Sequence, residues 1–246
     1  MRVHGVIPAR YASSRFPGKS LVPIAGKPMV RWVYERALAA RALSRLMVAT
    51  DDERIAAVIR EIGGEAIMTR NDHASGTDRL AEVARRMPAD IHVNIQGDEP
   101  LLDAGDIDRL VACLQEDAAV DMATLASPIT ELAEAEDPNV VKVVSDLASR
   151  ALYFSRSVIP APPPAERSGV RATWSRHIGI YAYRHAFLLE FASWPRTGLE
   201  EAERLEQLRA LDHGRVIKVI QATGRHLGVD TPEDATAVEK VLAERS

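Results

Sequence analysis

The sequence predicts an α/β fold, a mixed and mostly parallel sheet flanked by helices. Three observations predict it. In the first half, short apolar runs alternate with stretches whose apolar residues recur at helical spacing. That is the rhythm of like-directed strands joined by crossover helices. Glycine, proline and small polar residues punctuate the joins. The chain has 246 residues, 46% hydrophobic and 27% charged, ordinary values for a globular protein with a sizeable core. The alternation contains no clean linker, repeat or low-complexity tract, so residues 1–246 read as one domain.

Residues 3–7 form the first strand, followed by a Gly/Pro/Ser-rich loop to Gly18. Pro28 suits the first position of a helix that continues through Trp32, Val33, Arg36 and Ala37. RLMVAT, around residues 46–49, is the second strand. A helix over 51–62 carries Ile55, Val58, Ile59 and Ile62 on one stripe, and Gly63-Gly64 stops it. EAIMT is the third strand, and Ser75 can cap a helix containing Leu80, Val83 and Met87. DIHVNI is the fourth strand. Asp103 and Asp106 resemble a capping box before Ile107, Leu110, Val111 and Leu114. DMATLAS is the fifth strand.

The second half is less regular. NVVKVVSD and ALYFSR read as adjacent strands with a turn at 146–149. Pro160 and the three prolines at 162–164 place an exposed loop over about 159–173. HIGIYAY alternates as a strand, 199–211 reads as one helix, VIKVIQ is another strand, and Pro232 opens the last helix. This half is expected to extend the sheet in antiparallel fashion.

Composition narrows the function classes. The net charge of -4 and the lack of like-charge blocks give no extended surface for nucleic acid or an acidic membrane. A single cysteine, Cys113, allows neither an intrachain disulfide nor a cysteine metal cluster, and its place beside Leu110 and Leu114 suggests core packing. The first residues do not form a secretory signal, and no stretch approaches 18 uncharged apolar residues. A cytoplasmic location is the expectation.

Two sets of residues suggest chemistry. The loop PARYASSRFPGKS concentrates Arg10, Arg15 and Lys19 after the first strand. Three cations there suit a triphosphate, although a solvated basic surface loop has the same composition. Gly18-Lys19-Ser20 is not a Walker A motif, because the glycine required five positions before the Gly-Lys pair is Ser13. No G-x-G-x-x-G follows the first strand, so the dinucleotide fingerprint is also absent. Asp98, in NIQGDEP, emerges after the fourth strand, and Asp230, in GVDTPED, precedes the last helix. Two such carboxylates can hold Mg²⁺ and leave positions for phosphate oxygens. Either can equally be local, Asp98 in a turn and Asp230 as a helix cap.

The chain resembles the 3-deoxy-manno-octulosonate cytidylyltransferases, or CMP-Kdo synthetases. The segments that carry the likeness are IPARYASSRFPGK, GKPMV, VATDD, MTRNDHASGTDRLAEV, VNIQGDEP, MATLASPI, NVVKVV, ALYFSR, RHIGIYAYR, LEQLRALDHG and GVDTPED, in this order and nearly end to end. The resemblance implies a nucleotide-diphospho-sugar transferase-like sheet with a dimerisation extension. It assigns nucleotide binding to about 1–130, and sugar binding and homodimerisation to about 131–246. The implied reaction takes CTP and Kdo to CMP-Kdo and pyrophosphate, for lipopolysaccharide assembly. Ala9, Arg10, Arg15 and Lys19 fall in the triphosphate loop, and Ser75, Gly76 and Arg79 in the cytosine-side segment. Gln96, Arg156, His177, Tyr181, Glu206 and Gln207 fall on the sugar side, and Asp98 and Asp230 match the Mg²⁺ carboxylates. Arg10, Lys19 and Asp98 are the expected catalytic residues. Tyr181 and Tyr183 alternate, so both are expected on one side of their strand. Two features depart from the family's pattern: the proline-rich loop, and Arg225-His226 where a more neutral turn is usual. Without the resemblance, a glycosyltransferase on a related fold and a noncatalytic nucleotide-binding protein both remain. GDEP lacks the second aspartate of the former's usual motif.

Overall fold

A computed structural model describes residues 1–12, 16–162, 174–224 and 226–244. Arg15, most of the proline-rich loop and Arg225 lie outside the described residues. The elements in chain order are β1 (Val3–Ala9), a 3-10 turn (Lys19–Leu21), β2 (Pro23–Ile24), β3 (Lys27–Pro28), α1 (Met29–Ala37), β4 (Arg45–Thr50), α2 (Glu53–Glu61), β5 (Glu65–Met68), α3 (Gly76–Arg86) and β6 (Ile91–Asn94). They continue with α4 (Ala104–Glu116), β7 (Met122–Ile129), α5 (Leu132–Glu136), β8 (Lys142–Ser145), β9 (Ala151–Ser155) and β10 (Trp174–Arg184). The last are α6 (His185–Phe191), α7 (Gly198–Glu203), α8 (Leu208–Asp212), β11 (Ile217–Gln221) and α9 (Pro232–Ala243).

The main sheet runs β11-β7-β10-β6-β1-β4-β5. β1, β4, β5 and β6 pair in parallel, as does β11 with β7. β10 is the reversed strand, antiparallel to both β6 and β7. The predicted antiparallel extension is therefore only part of the outcome. β8 and β9 do form an antiparallel pair beside β10, but β10 itself sits inside the sheet. Apolar residues cover both faces. One face packs Val30 and Val33 of α1, Ile55 and Ile59 of α2, and Ile107 and Leu110 of α4. The other packs Leu80 and Val83 of α3, Phe187 and Phe191 of α6, and Leu208 of α8. α9 closes a third cluster through Val238 and Val241 over Ile24, Met29 and Val229.

Local chemistry explains most boundaries. Ser75 and Asp78 form a reciprocal capping box on α3, and Thr231 with Asp234 does the same for α9. Thr231, not Asp230, therefore caps the last helix. Asp52 caps α2, whereas Asp51 lies 3.5 Å from Arg79. Three sequence expectations are corrected. Pro28 ends β3 at ψ 137° and precedes α1 as its cap instead of starting it. Asp103 caps α4, but Asp106 is fully buried and accepts hydrogen bonds from the loop after β11, so no capping box forms. The helix over 199–211 is two helices, because Arg204 turns left-handed at φ 56°. The buried Arg209 guanidinium clamps the pieces, donating to both oxygens of Glu200 at 2.7 Å. No described helix is long and apolar enough to cross a membrane.

Candidate active site

The carboxyl ends of β1 and β6 meet at the mouth of a cavity of about 240 Å³. This is where ligands bind in open α/β sheets. β1 delivers Ala9 and Arg10, and the segment after β6 delivers Gln96, Gly97 and Asp98. α3 begins beside them with Ser75 as cap and Gly76 in its first turn. Gly97 cannot carry a larger side chain without displacement, since a Cβ there would lie 3.0 Å from the Pro8 carbonyl. The close approach of these two loops brings Asp98 to the end of β1.

Lys19 is the centre of the arrangement. Its ammonium donates to Asp98 Oδ2 at 2.6 Å and to Asp230 Oδ1 at 3.1 Å, and its side chain is 15% exposed. Burial lowers the lysine pKa, but Asp98 and Asp230 outweigh it and the net shift is upward, so the group stays charged. Two carboxylates far apart in sequence thus converge on one cation at the cavity. A second cavity of about 520 Å³ adjoins the first, with Ser75 in both linings. Glu206 lines it and accepts from Ser75 Oγ at 2.9 Å and Thr77 Oγ1 at 2.5 Å. Burial raises the Glu206 pKa against the opposing hydrogen bonds and Arg209. The break between α7 and α8 leaves Glu206 free of a helical ladder and aimed at the start of α3.

The residues singled out in the sequence divide by place. Ala9, Arg10, Lys19, Ser75, Gly76, Arg79, Gln96, Asp98 and Asp230 line the first cavity. Arg79 is buried and committed to the Arg70 carbonyl at 3.1 Å, with Thr69 also in contact. His177, Tyr181, Arg156 and Gln207 line neither cavity. His177 and Tyr181 lie in a row of rings that runs from Phe154 to Tyr183. Tyr181 opposes Asn94 on the antiparallel β6, so the residues before it pass the carboxyl end of β6. A bulge at 179–180 is filled by Thr124, whose Oγ1 reaches the carbonyls of Ile178 and Ile180 and His177 Nε2 at 3.0 Å. Loss of hydration pushes His177 down to about 3 and raises the Tyr181 phenol well above its usual value. Arg156 donates to the carbonyls of Glu203 and Pro138. Gln207 is 5% exposed, and its amide nitrogen has no hydrogen-bond partner among the described residues.

Sequence reasoning missed Ser20, which lines the first cavity, and the Thr77–Glu206 bond. His73 lines it too, 2.6 Å from Glu82. No periodicity marks these residues, because each owes its place to a contact formed only in the folded chain.

The sequence profile of the cytidylyltransferase family matches residues 4–218. A 3-deoxy-manno-octulosonate cytidylyltransferase from Syntrophobacter fumaroxidans is 56% identical over 99% of this chain and 98% of its own. One from Escherichia coli is 47% identical over 97% and 95%. The structure of a CMP:2-keto-3-deoxy-manno-octonic acid synthetase complexed with CTP superposes with a TM-score of 0.93 at 45% identity, covering both chains entirely. A cytidylyltransferase from Leptospira borgpetersenii, 16% identical over 99% of this chain and 87% of its own, shares the fold with a TM-score of 0.66. The fold is thus that of the nucleotide-diphospho-sugar transferases. The chain belongs to the 3-deoxy-manno-octulosonate cytidylyltransferase family.

Proposed function

We propose that this chain transfers CMP from CTP to the anomeric hydroxyl of Kdo, giving CMP-Kdo and pyrophosphate. The observation that carries the reading is the Lys19 ammonium seated between Asp98 and Asp230 at the strand-end cavity. The acceptor oxygen attacks the α-phosphorus in line with the departing pyrophosphate, with no covalent enzyme intermediate. Lys19 and Arg10 stabilise charge on the phosphoryl oxygens as they move, and Arg15 completes the cation set. Ser75, Gly76 and Arg79 form the cytosine side. Gln96, Arg156, His177, Tyr181, Glu206 and Gln207 form the sugar side, where Glu206 meets the nucleotide side through Ser75.

Asp98 and Asp230 fit a Mg²⁺ site, because both present carboxylate oxygens to one point already held by a positive charge. Mg²⁺ commonly binds through one or two carboxylates and substrate phosphates. When bound, Mg²⁺ supplies charge neutralisation at the triphosphate and lowers the cost of ionising the acceptor hydroxyl.

The test measures pyrophosphate release from CTP and Mg²⁺ with Kdo, with N-acetylneuraminate and with no sugar. Release that requires Kdo and yields CMP-Kdo is expected. Release with N-acetylneuraminate instead would move the chain to another acceptor, and a labelled covalent CMP-enzyme intermediate trapped without Kdo would refute direct transfer.

The reading places the enzyme in the cytoplasm, where it supplies lipopolysaccharide assembly. Residues up to about 130 chiefly bind nucleotide, and the rest bind sugar and form a homodimer. Apolar side chains left exposed on the β8–β9 hairpin, Leu147 and Leu152, support such a surface. Sedimentation velocity is expected to give a species of twice the chain mass. A monomer at micromolar concentration would remove the dimer.

A further inference from the structure

We infer that His226, clamped by Asp106 and facing Glu99, is a positioning residue that sets Asp230 against Asp98 from behind the cavity. The inference rests on the function proposed above and extends it to residues outside both cavity linings. The segment 222–230 leaves β11 and must deliver Asp230 to Lys19. It departs from the sheet where Ala222 N donates to Ala126 O at 2.8 Å. It then meets Asp106 of α4, a carboxylate with no exposed surface. Asp106 accepts from Thr223 N at 3.0 Å, Gly224 N at 3.3 Å and His226 Nε2 at 2.6 Å, and Arg109 pairs with it as well. A buried carboxylate with this many donors holds the segment fast, because moving any donor strands a charge in the interior.

The other edge of the ring faces the opposite loop. His226 Nδ1 lies 3.7 Å from Glu99 Oε2, and neither atom has a hydrogen-bond partner among the described residues. Glu99 is the immediate neighbour of Asp98. Three residues beyond His226, Val229 N donates to the Asp98 carbonyl at 2.9 Å. The imidazole therefore holds the segment that carries Asp230 against α4 and turns its other edge to the turn that carries Asp98. The relation between the two carboxylates depends on this wedge. A group that orients ligand-holding carboxylates in this way commonly matters by about 10–100-fold in affinity or activity.

Glutamine and asparagine separate the clamp from mere bulk. A glutamine amide nitrogen can occupy the place of Nε2 and keep the bond to Asp106, whereas asparagine ends at the place of Nδ1 and cannot. The experiment compares the full chain with His226→Gln, His226→Asn and His226→Leu. CTP binding is measured by calorimetry with and without Mg²⁺, and kcat and KM are measured with CTP and Kdo. The expected result is that the wild type and the glutamine variant share the Mg²⁺-dependent gain in CTP affinity within about twofold. The asparagine and leucine variants lose about tenfold of it, and of kcat, while CTP affinity without metal is unchanged. Folded asparagine and leucine variants with the full gain and full turnover would overturn the inference, as would a glutamine variant as impaired as asparagine. Failure of the wild type itself to use CTP and Kdo would instead sink the proposed function. Amide hydrogen exchange across 222–230, recorded without metal, keeps the clamp testable in that case. Faster exchange in the asparagine and leucine variants than in the glutamine variant supports it, and equal exchange refutes it.

Discussion

Lys19→Met is expected to lower turnover about 10²–10³-fold while leaving the protein folded, the scale seen when one preorganised donor to a reacting oxyanion is removed. Methionine keeps the length of the stem and deletes only the charge. The ammonium belongs to the first residue of the 3-10 turn and is mostly shielded from water, where its field is stronger than at an open surface. The neighbouring carboxylates hold its pKa above the ordinary lysine value. Lysine titration therefore contributes no limb to the pH–rate profile near neutrality, and the loss in the variant is expected to be uniform from about pH 6 to 9. Arginine is not expected to restore activity, because its longer, planar guanidinium does not fit the place of a compact ammonium between Asp98 and Asp230. Steady-state kinetics with CTP and Kdo, beside circular dichroism, check this. A folded Lys19→Met enzyme within threefold of wild-type turnover would remove Lys19 from the chemistry.

What the sequence revealed, and what it hid, follows from the range of each interaction. Strands and helices of the first half were readable because each depends on local periodicity, and the capping box at Ser75 because its two partners are three residues apart. Asp106 carried the same local signature and did something else. Its partners lie in the loop after β11, and only the burial of its carboxylate, a property of the folded chain, decides between them. The break at Arg204 was hidden for a similar reason. No glycine or proline marks it, helical spacing at Leu205, Leu208 and Leu211 follows directly after it, and it is held by the Arg209–Glu200 pair. β10 read as a strand, but its place between β6 and β7 depends on long-range pairing. Asp98 and Asp230 could each be seen after a glycine at the end of an element. Their convergence on Lys19 required the tertiary fold.

Acid is expected to destabilise the fold through His92, well before most carboxylates are protonated. His92 lies on β6 with no exposed surface, opposite His4 of β1 and with its Nε2 3.0 Å from His185 Nδ1 of α6. Burial is the main cause that pushes its pKa to about 3, and the neighbouring histidines push the same way. The neutral ring is therefore the form the fold accepts. Its contribution is fully present above the unfolded value near 6.5 and is lost progressively as the pH falls towards about 3. At about 1.4 kcal/mol per unit, roughly 3 kcal/mol is lost by about pH 4.5 and about 5 kcal/mol below pH 3. That is a large share of a typical folding free energy of about 5–15 kcal/mol. His177 and His4 have lowered values too and add with the same sign, whereas the raised Glu206 and Glu99 oppose it. His92→Leu isolates one term, because the apolar side chain cannot take up the proton. Urea unfolding at about pH 7.5 and 4.5 is expected to show the variant losing about 3 kcal/mol less than the wild type over that interval. Equal losses in the two proteins would mean that His92 is readily protonated within the folded chain.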